Sequence, residues 1–273
     1  MSSGVSAPQP SFVHLRVRSA YSLLNGALTV KKIASIAASQ ECVAVGVTDV
    51  GNLFGALEFA ETLAEKGIQP IMGLTLPIAL DKSATGALGE CDGIVALFAQ
   101  NDAGWENLMA LSSAAYLDIS AAEVPHVPFE LLQAHSEGLL CLTGGGEGVA
   151  NRLIAAGRDG EGYTFLQRLE ATFPDRLYIE LQRHGMADEA KAEPFLIDYA
   201  YARGLPLVAT NDVRFESSKK YASHDVLLAI ADGTHVGDPD RVRVTPNHYF
   251  RTASEMAVLF ADLPEALENT IDV

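Results

Sequence analysis

Seven short apolar stretches, each followed by a segment of different periodicity, constrain this chain more than any other feature. The strand-like stretches are residues 12–18 (FVHLRVR), 42–49 (CVAVGVTD), 68–80 (IQPIMGLTLPIAL), 92–100 (DGIVALFAQ), 138–145 (GLLCLTGG), 177–182 (LYIELQ) and 205–212 (LPLVATND). Helical spacing marks 27–40, 55–67, 103–117, 148–157, 162–173, 187–204, 216–233 and most of 253–271. Short apolar strands alternating with helices predict an α/β fold with a parallel sheet. With this many units, a closed or distorted barrel competes with an open doubly wound sheet. Either one gathers its chemistry at the C-terminal ends of the strands. A length of 273 residues with 48% apolar content suits one large domain with a sizeable core. No internal repeat or low-complexity linker divides it. Residues 1–11 read as a flexible lead-in and 81–91 as a turn-rich break.

Charge narrows the function. The net charge is −16, which should repel a phosphate backbone unless the few basic residues cluster. No run of about 18 uncharged apolar residues is present, so no membrane span is expected, and the N-terminus lacks the apolar stretch of a signal peptide. Three cysteines, Cys42, Cys91 and Cys141, are odd in number and far apart. Neither a disulfide framework nor a cysteine zinc site is expected, and a reducing cytoplasm fits.

The predicted strand ends carry an unusual set of polar groups. Arg16 and Arg18 are two apart, so they share a strand face. Asp49, Thr75, Gln182 to His184, and Asp212 with Arg214 occupy the other ends. A metal-dependent phosphoesterase would fill such a ring with His, Asp and Glu. Arginine cannot ligate a metal. The glycine run TGGGEG (143–148) could in principle cradle a phosphate. It lacks the Lys-Ser/Thr of a P-loop and the spacing of a dinucleotide fingerprint, so a plain glycine turn is the better reading.

Several long motifs, in order from Phe12 onward, make the chain resemble a known family. They are FVHLRVRSAYSLLNGA, VTDVGNLFGALEFAE, GIQPIMG, NLMALSSAAYL, PDRLYIELQRHG, GLPLVATNDVRF, HDVLLAIADG and LFADLPEALENT. They resemble the PHP (polymerase and histidinol phosphatase) domain of bacterial replicative DNA polymerase III alpha subunits. The resemblance implies a PHP-type distorted (βα)7 barrel over residues 12–273, with mostly parallel strands and outer helices. In family members with an intact site, that domain binds a metal cluster and removes 3′ nucleotides.

Compared with the family pattern, the site is depleted. Arg16 and Arg18 stand where two histidines are usual, Val50 replaces the histidine of TDHG, and Thr75 replaces a carboxylate. Ile94 and Gly145 fall at a histidine and a cysteine position, and Arg214 replaces the histidine of the DxH pair. Asp49, His184 and Asp212 are kept, and His14 matches a nearby position. The resemblance therefore implies a vestigial pocket of His14, Arg16, Arg18, Asp49, Val50, Thr75, His184, Asp212 and Arg214, with no metal, no cofactor and no catalytic residue. Carboxylates left in a partly dehydrated pocket need positive partners. Arg16, Arg18 and Arg214 are expected to pair there with Asp49 and Asp212. With three positive and two negative groups, one arginine would be spare for an anion or a more distant carboxylate.

The implied role is DNA replication within a cytoplasmic polymerase. The chain would be the N-terminal part of a longer nucleotidyltransferase whose catalytic carboxylates lie in the palm domain that follows. The domain would support the polymerase and dock the proofreading exonuclease subunit within the DNA polymerase III holoenzyme. DNA would be held by the full-length chain and not strongly by this domain. Two enzyme readings compete. One is a metal-dependent phosphoesterase or 3′–5′ exonuclease with a reduced site. The other is a free-standing phosphatase related to histidinol phosphatase.

Overall fold

The computed structural model describes residues 12–80, 91–120 and 123–273. The expected lead-in at 1–11 and most of the turn-rich break lie outside these residues. Eight strands follow in chain order: β1 (His14–Val17), β2 (Ala44–Val50), β3 (Gln69–Ala79), β4 (Gly93–Ala99), β5 (Val127–Pro128), β6 (Leu139–Leu142), β7 (Leu177–Leu181) and β8 (Leu207–Ala209). Between β1 and β4 lie the helices α1 (Val30–Ser39) and α2 (Ala56–Ala64). After β4 come α3 (Asp102–Leu117), α4 (Phe129–Ala134), α5 (Val149–Ala155), α6 (Asp159–Thr172) and α7 (Ala187–Arg203). The chain ends with α8 (Tyr221–Ala231), α9 (Ala253–Leu259) and α10 (Pro264–Glu268).

The strand order is β1-β2-β3-β4-β6-β7-β8, with the two-residue β5 beside β3. The sheet curls until its ends meet. Val213, just past β8, bridges Val17 of β1. The Val213 amide donates to the Arg16 carbonyl (2.8 Å), and the Arg18 amide donates to the Val213 carbonyl (2.9 Å). The result is a distorted barrel with mostly parallel pairing. The departure from uniform parallel order is β4, which is antiparallel to both β3 and β6. No crossover helix joins β3 to β4 among the described residues. The β3–β4 register runs from Gly73 opposite Phe98 to Ile78 opposite Gly93.

Each strand buries both faces, as its near-continuous apolar sequence requires. Leu74, Leu76, Val95, Leu97, Cys141, Ile179 and Leu181 face outward and pack with the helices. The alternate residues Val13, Leu15, Ala96, Phe98, Leu140, Leu142 and Val208 fill the interior of the barrel. Burying an aliphatic or aromatic side chain contributes about 1.5–3 kcal/mol, so these layers supply most of the driving force for folding. At the C-terminal end of the strands the interior turns from apolar to polar. That change locates the candidate site.

Candidate functional site

β1 carries the first two groups. A register irregularity between His14 and Val17 interrupts its alternation. His14 therefore does not join the arginines. Its ring packs between Phe12 and Phe250, with centroids 4.8 and 4.2 Å away, and Nε2–H donates to the Arg251 carbonyl at 2.8 Å. Its expected place in the pocket is corrected by that irregularity. Burial pulls the imidazole down to about 4, although the bond to Arg251 opposes the shift.

Arg16 and Arg18 both point into the barrel mouth. Arg18 meets Asp212 fork to fork, Nε–Oδ1 2.7 Å and Nη2–Oδ2 3.1 Å, and its Nη2 also reaches Glu147 at 2.5 Å. Arg214 binds the same two carboxylates, with Nη2 at 2.7 Å from both Glu147 Oε1 and Asp212 Oδ2. Asn25 Oδ1 accepts from both guanidiniums, at 3.4 Å from Arg18 and 3.3 Å from Arg214. Arg16 donates to Glu180 at 3.1 Å, and its second terminal nitrogen lies 3.7 Å from Asp212. The side chains of Arg16 and Glu180 are wholly buried.

Three guanidiniums thus face three carboxylates: Asp212, Glu147 and Glu180. The arginine left over from Asp49 and Asp212 is taken up by more distant carboxylates, Glu147 and Glu180, and not by an anion. Glu180 alternates with Leu177, Ile179 and Leu181, the outward positions of β7. That period-2 pattern could have marked Glu180 as inward-facing. Glu147 sits in the glycine turn, and no local signal shows what it touches. The turn itself is not a phosphate cradle. The Gly144 amide donates to Glu180 (3.0 Å) and the Gly146 amide to Gln182 (3.1 Å). Gly145 has φ +56°, and a Cβ there would lie 2.2 Å from the Gln182 side chain, so glycine is required.

Asp49 departs from its expected arginine pairing. Its Oδ1 accepts from the Ser19 amide (2.7 Å) and the Ser22 hydroxyl (2.6 Å), and its Oδ2 accepts from the Ser19 hydroxyl (2.7 Å). The turn after β1 wraps over the end of β2 and reaches the carboxylate before any guanidinium does. Burial raises the Asp49 carboxyl despite these bonds and despite Arg18. Asp212 behaves oppositely. Burial alone would raise it, but Arg18, Arg214 and Arg16 outweigh that and hold it well below the carboxylate range. For Glu147, Arg18 and Arg214 likewise overcome burial. Its side chain is 38% exposed, so solvent screens those pairs.

The remaining expected residues line the rim in passive roles. The Val50 amide donates to the Ser22 hydroxyl at 3.1 Å, and Thr75 donates to the Thr48 carbonyl at 2.8 Å. His184 is fixed at both ring nitrogens, 2.6 Å from Glu189 and 2.8 Å from the Asn211 carbonyl. It stacks on His248 with centroids 3.7 Å apart, and burial holds His248 well below its ordinary value. These residues do not fit a metal cluster. Each pocket carboxylate already accepts from guanidinium, hydroxyl or amide donors, and both nitrogens of His184 are engaged. Among the described residues no three His, Cys, Asp or Glu side chains are grouped to hold an ion.

Comparison with known proteins places this geometry in a family. The family model described as "PHP domain" matches residues 14–184. The chain is 47% identical over 263 residues to the DNA polymerase III subunit alpha of Caulobacter vibrioides (strain NA1000 / CB15N), covering 96% of this chain and 23% of that protein. It is 37% identical over 266 residues to the protein of the same name from Escherichia coli (strain K12), covering 97% and 22%. It therefore spans about a quarter of the length of these relatives. Among solved structures, an amidohydrolase from Chromobacterium violaceum aligns with a TM-score of 0.47 at 14% identity, covering 74% of this chain and 87% of that one. No helix among the described residues is long and apolar enough to cross a membrane. The match over residues 14–184, on a barrel of this order, makes the chain a member of the PHP domain family.

Proposed function

We propose that residues 12–273 form the PHP domain of a replicative DNA polymerase alpha subunit, in which an arginine–carboxylate cluster has replaced a metal site. The domain supports the polymerase body and docks the proofreading exonuclease subunit, within a holoenzyme acting in the cytoplasm. The polymerase activity belongs to the longer protein. One observation carries this reading: Arg16, Arg18 and Arg214 hold Asp212, Glu147 and Glu180 at the mouth of the barrel. Three permanent positive charges there occupy these three carboxylates and leave none of them free to bind a cation. The chain's likeness to alpha subunits supports the replicative setting, and its acidic surface suits protein docking better than a grip on DNA.

Two assays test this. Calorimetry with the cognate exonuclease subunit should show saturable binding; absence of binding with the full-length polymerase subunit contradicts the docking role. Purified protein should leave single-stranded DNA intact. Degradation that an Asp49→Ala, Asp212→Ala variant abolishes would establish a reduced nuclease site instead.

A further inference from the structure

The net charge of −16 makes any concentration of cations on this chain informative. Four of its seven lysines, Lys31, Lys32, Lys219 and Lys220, fall on two segments that are distant in sequence. The fold brings these segments together. Thr29 caps α1, which begins at Val30, so Lys31 and Lys32 lie in its first turn. Lys219 and Lys220 lie in a short 3-10 turn after the strand-end segment 213–215.

Three contacts zip the edge closed. The Ala27 amide donates to the Arg214 carbonyl at 2.8 Å. Lys32 pairs with Glu216 at 2.7 Å. The Phe250 amide donates to the Phe215 carbonyl at 3.0 Å, which brings in Arg251. The four lysines are exposed. The guanidinium of Arg251 lies over the ring of Tyr249, and its Nε is buried without a hydrogen-bond partner among the described residues. Two carboxylates of this edge, Glu216 and Glu255, are engaged, Glu216 with Lys32 and Glu255 with Tyr249 and Thr252.

We propose that this edge, Lys31, Lys32, Lys219, Lys220 and Arg251, is an auxiliary contact for the phosphate backbone of duplex DNA. The inference rests on the reading of the chain as part of a replicative polymerase. The physical case is one of contrast. Lysines on exposed turns are mobile point charges, suited to a backbone without sequence readout. The acidic remainder repels a polyanion, so the field favours approach of a duplex along this edge. The α1 N-terminus adds a favourable partial positive charge. The edge lies at the C-terminal end of β1, because α1 begins there and returns the chain toward β2. It is separate from the buried cluster and uses none of its side chains. Few phosphates are neutralised, so binding is weak and salt-sensitive, as suits a contact that guides DNA rather than holds it.

Fluorescence anisotropy of a labelled duplex at low ionic strength tests this directly. The plot of log binding constant against log salt should have a slope of about −3 to −4, since each neutralised phosphate contributes about 0.9. Lys31→Glu/Lys32→Glu and Lys219→Glu/Lys220→Glu should each reduce that slope by about 2. Lys66→Glu/Lys191→Glu, away from the edge, should leave the lysine-edge contact intact. Circular dichroism confirms that each variant is folded. No duplex binding at low salt, or an unchanged slope in the edge variants, overturns the proposal. So does lysine-dependent binding of polyglutamate without duplex binding, which would assign the edge to an acidic protein. Metal content and exonuclease calorimetry report on the underlying reading independently.

Discussion

The guanidinium of Arg18 and the carboxylate of Asp212 meet as a bidentate pair, 2.7 and 3.1 Å apart, although 194 positions separate them in the chain. The pair sits where the sheet closes on itself, beside the bridge between Val17 and Val213. The backbone is also unusual there: Asp212 has φ +36°, a region that non-glycine residues seldom occupy. The bend turns the chain after β8 toward β1 and aims the carboxylate at all three arginines. Closure of the barrel and neutralisation of the pocket are thus one structural event.

A double-mutant cycle measures this relationship. Asp212→Asn keeps a residue that tolerates positive φ while removing the charge. Arg18→Met removes the guanidinium while keeping most of the stem. Each single change should cost about 3 kcal/mol, the low end for breaking a buried pair, because Arg214 still covers the carboxylates. The coupling measured by denaturant unfolding should exceed about 1 kcal/mol. Losses that add to within about 0.5 kcal/mol would show that the groups act independently.

Asp49 should behave differently, because serines hold it. Asp49→Ala combined with Ser22→Ala should show coupling of about 1.5–3 kcal/mol, the worth of a hydrogen bond to a charged group. Asp49→Ala combined with Arg18→Met should show only the weaker through-space effect of Arg18, with coupling under about 0.5 kcal/mol. Coupling in the second cycle and not the first would restore the direct arginine pairing and remove the serine turn from the account.

The outline of this site was legible in the sequence because strands impose a period of two. That period puts Arg16 and Arg18 on one strand face and Asp212 and Arg214 on another, the family resemblance joins the two faces in one pocket, and the chemistry of arginine predicts carboxylate partners. Which carboxylates those would be was not legible. Glu147 and Glu180 come from a turn and a strand far along the chain, and Asp49 is claimed by a turn whose path no local propensity dictates. The fold divides in the same way. Most helices and strands follow from periodicity, whereas antiparallel β4, two-residue β5 and short α4 depend on tertiary contacts. His14 shows the limit of spacing arguments: one irregularity in β1 sends it away from a cavity that its alternation would place it in.

Acid should loosen the pocket. Asp212 has an ordinary value of 3.8 and is held well below it in the fold, so the unfolded chain takes up its proton first. Its stabilisation is present above the ordinary carboxylate range and is lost as pH falls toward the folded value. Glu147 acts with the same sign, and Asp49, raised in the fold, with the opposite sign. Urea unfolding should therefore show stability declining below about pH 4. Asp212→Asn should flatten that decline. An unchanged acid limb in the variant would locate the titration elsewhere.

His14 predicts a second effect in a higher window. Its folded value of about 4 lies below the ordinary 6.5, so protonation favours the unfolded chain. Stability should fall as pH drops from 6.5 towards 4, by at most about 3 kcal/mol. His14→Phe should reduce this slope without touching the acid limb, the remainder coming from His248 and His224, which burial also lowers. An NMR titration of the His14 ring near its ordinary value would contradict the burial argument.

The central claim is that arginines occupy the place of a metal cluster, and the metal content of the purified chain tests it most directly. After equilibration with zinc or manganese and exhaustive dialysis, elemental analysis should find well under one ion per chain. The thermal midpoint should be unchanged by either ion or by a chelator. One or more tightly held ions per chain, lost on Asp212→Asn, would contradict the account.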